Sequence, residues 1–365
     1  MKTIRLCFAG NMLGRNPGYV TTQGQIVADL FAAANYEVTV VSSKINRAAR
    51  IAEIILTLIK KRRDLDLVVL EVYSGLSFSI ATVVGRLCQF LRLPLVMVLH
   101  GGGLPEFVRN YPRWTRRVLS RANLLVAPSR FMAREIGCLG FEIPVIPNVI
   151  ELEQYEFRER RQIAPKLIWM RSFHKIYNPQ MAVKVLAKLR QTYPDAVLTM
   201  AGNDKGLEAA TKKLAADLNL TDCIRFPGFL NDEQKCREFA AADIYLNTNR
   251  IDNMPVSVVE AMAFGLPVVA ANVGGLSALI ENGTNGLLVE SDNVAEMTAA
   301  IKSLLENPQL TNRLSINGRQ LAERSAWANV CTQWEQAFDL VLRQTTAKEI
   351  NFSTLKLTPK SRFAK

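Results

Sequence analysis

Two carboxylates eight positions apart, Asp252 and Glu260, offer the clearest chemistry in this sequence. Glu260 is the one charge inside residues 256–264, a segment apolar on nearly every side, as in a helix buried between a sheet and a second layer. Burying a carboxylate unpaired costs several kcal/mol, so Glu260 needs hydrogen-bond donors or a cation, and the hydroxyl groups of a bound ligand would serve. Asn253 and Pro255 stand where this helix starts, and Gly265 and Pro267 stop it. Asp252 therefore belongs to the loop at the helix mouth, while Glu260 lies about two turns further along.

Three further positions sit just after segments that read as strands. Arg171 and Lys175 follow the apolar run 167–170 and form a pair of cations suited to a diphosphate, or else two exposed charges on a loop. His100 ends the run 94–100 and is followed by three glycines, so it is either poised at a ligand that the backbone can approach closely or a core histidine satisfied locally. Gly24 lies at the start of a helix whose free amides could meet an anion. The glycines of residues 10–24 do not form the dinucleotide fingerprint.

The stretch from Asp252 through Glu260-Ala-Met-Ala-Phe-Gly-Leu-Pro-Val-Val resembles the donor-site motif of glycosyltransferase family 4, the retaining group 1 enzymes of GT-B fold. The resemblance implies that Glu260 binds the ribose of a nucleotide sugar. It places Asn253 and Met254 in the loop that holds diphosphate and sugar, and sets Arg171 and Lys175 against the leaving diphosphate. Asp252 and His100 would orient the transferred sugar, and Gly24 is the one glycine transferable from the family's Gly-Gly at the first loop. Where the family has Glu, this chain has Asp252, one methylene shorter. The implied reaction is transfer to a hydroxyl acceptor, a glycan or lipid-linked glycan in cell-surface polysaccharide synthesis, with retention and no metal. Asp64-Leu65-Asp66 formally matches the metal-binding acidic pair of another glycosyltransferase class, but it precedes a strand and reads as the strand's polar start. A nucleotide-sugar 2-epimerase of the same architecture and a non-catalytic membrane-associated scaffold are the alternatives.

These residues need a scaffold that brings several strand ends together. Strand-like runs at 3–9, 37–42, 67–72, 95–99, 123–127 and 144–146, separated by helical stretches, predict one doubly wound domain over residues 1–150. After an apolar-poor linker the rhythm restarts at 166–170, 196–201, 223–226, 243–246, 267–270 and 286–289, which predicts a second domain over 151–325. The fold class is α/β, two Rossmann-like domains facing a central cleft, the first for the acceptor and the second for the nucleotide sugar. Residues 326–344 read as a last helix, which the resemblance sends back to the first domain, and 345–365 as a loose basic tail.

A chain of 365 residues with 49% hydrophobic and 21% charged residues accommodates two cores and excludes general disorder. Its six cysteines have no paired spacing, so neither a zinc cluster nor a disulfide framework is expected, in keeping with a reducing cytoplasm. No signal peptide and no transmembrane span are expected. The net charge of +12 is concentrated in residues 1–150, which hold 19 Lys/Arg against 9 Asp/Glu. Lys44, Arg47, Arg50 and Lys60 to Arg63 accompany Ile51, Ile54, Ile55, Leu58 and Ile59 in a basic amphipathic pattern, and Arg113, Trp114, Arg116 and Arg117 form a second basic stretch. Both fit either an anionic membrane surface or helices packed on their own sheet. No base-stacking platform or recognition motif points to nucleic acid.

Overall fold

The computed structural model describes residues 4–16, 19 and 21–355. Five parallel strands form the first sheet: β1 (Arg5–Ala9), β2 (Glu37–Val41), β3 (Leu67–Val72), β4 (Leu95–Leu99) and β5 (Leu124–Val126), in the order β2-β1-β3-β4-β5. Six form the second: β6 (Lys166–Met170), β7 (Val197–Ala201), β8 (Ile224–Gly228), β9 (Ile244–Asn247), β10 (Val268–Ala271) and β11 (Leu287–Val289), in the order β11-β10-β9-β6-β7-β8. Helices cover both faces of each sheet, which explains why β3, β4, β9 and β10 are buried at every position and read as unbroken apolar runs.

Strand order reverses between β1 and β3 in the first sheet and between β6 and β9 in the second. Open parallel sheets receive ligands outside the carboxyl ends of strands at such points. Gly10 and Glu71 flank the first reversal, and Arg171 and the loop after Asn247 flank the second.

The run 144–146 is not a strand. It contributes one bridge, Ala127 to Val145, because Pro144 has no amide hydrogen to extend a ladder. Asp64 and Asp66 both pair with Arg5 at the start of β1. The chain crosses between domains at two adjacent points, joined by a bridge between Ile150 and Ala326. Beyond the second crossing, the helix Trp327–Leu355 lays Val330, Trp334, Phe338 and Val341 into the core under the first sheet, with Phe31 against both Trp327 and Phe338. Burying each such side chain contributes roughly 1.5–3 kcal/mol. The loose tail expected from Thr345 is corrected: the helix continues through Leu355, since no Gly or Pro interrupts it before Pro359. Residues 356–365 lie outside the described residues.

Candidate active site between the two domains

The helix Val256–Ala263 starts with Pro255 at its N-cap and is buried from Ser257 onward. It ends in a reciprocal pair of bonds, Gly265 N–H to Met262 O and Leu266 N–H to Ala261 O, which turns the chain into β10. Glu260, 8% exposed, takes its donors from the chain itself: Lys235 Nζ at 2.7 Å and the Tyr155 hydroxyl at 3.0 Å both reach Oε1. Burial alone would lower the Lys235 pKa, but the Glu260 charge raises it above the ordinary value, and burial with the same charge pushes Tyr155 up. Both donors thus converge on one oxygen of the Glu260 side chain.

Lys235 and Tyr155 were not singled out by the sequence. A cue for Lys235 exists, since Asn231 and Gln234 form a capping box that fixes the start of the helix Asp232–Ala241. Lys235 then falls in the first turn after β8, on the side of the sheet where Glu260 lies.

Arg171 leaves β6 and lies over the Tyr177 ring, 4.9 Å from its centroid, with its guanidinium bonded to Asp252 Oδ2. Asn249 also donates to that oxygen, and the Asn253 amide donates to Oδ1 at 2.8 Å. Asp252 thus accepts from three donors of its own neighbourhood and neutralises the cation expected to meet a diphosphate.

The expected pairing of Arg171 with Lys175 does not form. Phe173 is anchored in the core, so the turn that follows carries Lys175 outward to solvent, and it is Tyr177 that comes back to Arg171. Among the described residues the other Lys or Arg that lines the cavity is Lys235.

Asn253 and Met254 face the first domain. Asn253 Oδ1 is bonded by the Ser129 hydroxyl, and the Met254 carbonyl accepts from Asn148 Nδ2 at 3.1 Å. Behind this loop a Cβ on Gly275 would fall 1.4 Å from the Asn253 carbonyl oxygen, so no side chain fits there. His100 is buried, stacked on Tyr73 with centroids 5.3 Å apart, and its Nε2 lies 3.8 Å from Glu71 Oε1. Burial lowers its pKa to about 4, which keeps the ring neutral at pH 7. The Gly24 amide donates to Glu71 Oε1 at 2.8 Å, and burial pushes the pKa of that carboxyl up to about 7. His174 stays local, its Nδ1 accepting from the Ile176 amide.

A cavity of about 880 Å³ separates the domains, with Tyr19, Thr21 and Gln23 on the first side and Arg171, Lys235 and Glu260 on the second. Its described lining carries the cations Arg171 and Lys235 beside Glu260, with the carboxylates of Asp29, Glu151 and Asp232 also on its wall, so the two cations and the buried Glu260 are the groups that suit a ligand carrying both phosphates and vicinal hydroxyls.

Residues 154–321 match the family model for glycosyl transferases group 1, and residues 26–154 match the model for glycosyltransferase family 4. The chain belongs to the group 1 glycosyltransferases. An uncharacterized glycosyltransferase of Haemophilus influenzae is 33% identical over 154 residues, 42% of this chain and 43% of that protein. A D-inositol 3-phosphate glycosyltransferase of Corynebacterium kroppenstedtii is 26% identical over 198 residues, 51% of this chain and 44% of that protein. The chain thus spans less than half the length of these two curated relatives. Among solved structures, Anabaena Alr3699/HepE in complex with UDP and glucose superposes with a TM-score of 0.72 at 18% identity, covering 92% of this chain and 99% of that one. That likeness shows the GT-B fold of this group 1 glycosyltransferase.

Proposed function

We propose that this chain is a retaining hexosyltransferase that moves a sugar from a nucleoside-diphosphate sugar to a hydroxyl of a glycan or lipid-linked glycan in cell-surface polysaccharide synthesis. The observation that carries this reading is the interdomain cavity, in which Glu260 and Arg171 sit at the carboxyl edge of one sheet and face the other domain. Glu260 accepts the ribose hydroxyls through its other oxygen. Arg171, with Lys235 as the second cation, neutralises the departing diphosphate. The loop Asp252-Asn253-Met254 and His100 orient the sugar. The acceptor oxygen bonds to the anomeric carbon on the face from which the phosphate oxygen leaves, and the leaving diphosphate takes the acceptor's proton. Closure around the ligands excludes water.

Nucleoside diphosphate is expected to accumulate only when donor and acceptor are both present, with the anomeric configuration of the donor kept in the product, as read by proton NMR. Chelation with EDTA is expected to leave the rate unchanged, because two side-chain cations take the role a metal would have. An inverted product, or loss of activity on chelation restored by a divalent ion, contradicts the proposal.

The basic helix Arg47–Lys60 supports the membrane reading in part. Ile54 and Leu58 are in the core, and Arg50 is buried against the Lys44 and Ile45 carbonyls, whereas Leu56 and Ile59 are exposed beside Lys60 to Arg63. No helix among the described residues is long and apolar enough to cross a membrane. Replacing Lys60, Lys61, Arg62 and Arg63 with Gln is expected to weaken binding to phosphatidylserine vesicles by about 1 kcal/mol per charge. Unchanged vesicle sedimentation and unchanged activity would sink this part of the reading.

A further inference from the structure

The loop that carries Asp252 is held from both domains. On its own side, the Gly275 amide donates to the Asp252 carbonyl at 3.0 Å, and a Cβ on Gly274 would fall 2.3 Å from that same oxygen. On the far side stands the first domain. The Ser129 hydroxyl donates to Asn253 Oδ1, Asn148 Nδ2 donates to the Met254 carbonyl at 3.1 Å, and a Cβ on Gly102 would lie 2.9 Å from Ile251 Cγ2. Ser129 and Asn253 are 8% and 5% exposed, so their bond is shielded from water.

Ser129 is fixed before it reaches across. It is the N-cap of the helix Arg130–Gly137, and its oxygen accepts from the Met132 amide at 3.1 Å, which leaves the hydroxyl hydrogen for Asn253. The contact continues into the site, because the Asn253 amide donates to Asp252 Oδ1 while Arg171 and Asn249 donate to Oδ2. The groups that suit the nucleotide are held otherwise. Among the described residues, Glu260, Arg171 and Lys235 take their side-chain partners, Tyr155, Tyr177, Asp232 and Asp252 besides one another, from the second domain alone. The two domains therefore share the sugar loop and not the nucleotide seat.

We propose that Ser129 is a positioning residue: through Asn253 it holds Asp252 in place when the two domains meet, so that turnover depends on it and nucleotide binding does not. The inference rests on the transferase reading for the loop's role toward the sugar.

The test compares Ser129→Gly, Ser129→Thr and Asn253→Ala in the full chain. Glycine is tolerated at an N-cap, so Ser129→Gly removes the hydroxyl and keeps the helix, whereas threonine keeps both hydroxyl and cap. Ser129→Gly is expected to lower kcat about tenfold while calorimetric binding of nucleoside diphosphate stays within about twofold, and Ser129→Thr is expected to keep both. Adding Ser129→Gly to Asn253→Ala should cost nothing further, since the bond is already gone. An unchanged kcat in Ser129→Gly, a parallel loss of nucleotide binding, or an additive loss in the double variant overturns the proposal. Hydrogen exchange without ligand reads the contact by itself: peptides covering residues 250–256 are expected to exchange faster in Ser129→Gly than in the wild type or Ser129→Thr. A wild type that binds no nucleoside diphosphate speaks against the transferase reading, while unchanged exchange in Ser129→Gly speaks against the role of Ser129 whatever binds.

Discussion

Glu260→Ala is expected to weaken nucleoside-diphosphate-sugar binding by roughly 10- to 150-fold, since a hydrogen bond to a charged group is worth about 1.5–3 kcal/mol. The loss should be specific to the ribose. Lys235 and Tyr155 both bond Oε1, so they hold the side chain. Lys235 keeps Asp232 at 3.1 Å as a second partner, which limits the structural cost of removing Glu260. Calorimetric titration, with thermal melting as the check on folding, measures the effect. Lys235→Met should reproduce part of it, because Glu260 then loses the ammonium that holds its Oε1 in place.

Arg171→Ala is expected to lower kcat by roughly 10²–10³, the usual loss when one donor to a developing negative charge is removed. Its partner should behave differently. Asp252 neutralises Arg171, so a diphosphate that binds Arg171 has to replace one carboxylate by another anion. Asp252→Asn is therefore expected to tighten binding of nucleoside diphosphate by about tenfold, or ~1.4 kcal/mol, while turnover falls because the sugar loses its carboxylate contact. Initial rates and product titrations on the two variants separate these effects. Weaker diphosphate binding by Asp252→Asn would mean that Asp252 acts on the ligand and not through Arg171.

The shorter side chain at position 252 gives this pairing a physical basis. Asp252 Oδ1 is tied to the amide of its own neighbour Asn253, which leaves Oδ2 directed at Arg171 and Asn249. A longer acidic side chain at the same place would carry its charge past that local bond. The acidic residue at the mouth of the buried helix thus takes a position from the loop, while Glu260 takes one from the helix.

The strands were legible because both sheets are covered on both faces, and complete burial turns each central strand into a continuous apolar run. The buried helix was legible for the same reason, with Glu260 conspicuous as a lone charge among Val258, Val259, Met262 and Phe264. What the sequence concealed were partnerships across long separations. Lys235 and Tyr155 reach Glu260 from 25 and 105 residues away, and Glu71 meets Gly24 across 47. Glu71 was hidden in a strand that otherwise reads as core. Lys175 misled for a different reason: proximity in sequence to Arg171 said nothing about Phe173, whose burial turns the intervening loop outward. The tail after Thr345 looked loose on composition, yet it continues a helix already nucleated by the packed residues Val330 to Val341, with no breaker before Pro359.

The most direct test of the account is a thermal-stability screen of nucleoside-diphosphate sugars against the wild type and Glu260→Ala. A ligand bound only by the native state at 100 times its dissociation constant stabilises by about 2.7 kcal/mol. The account predicts that one donor raises the wild-type melting temperature and that Glu260→Ala, folded but blind to ribose, loses the shift. A folded wild type that no nucleotide sugar stabilises, or a shift that Glu260→Ala retains in full, contradicts it.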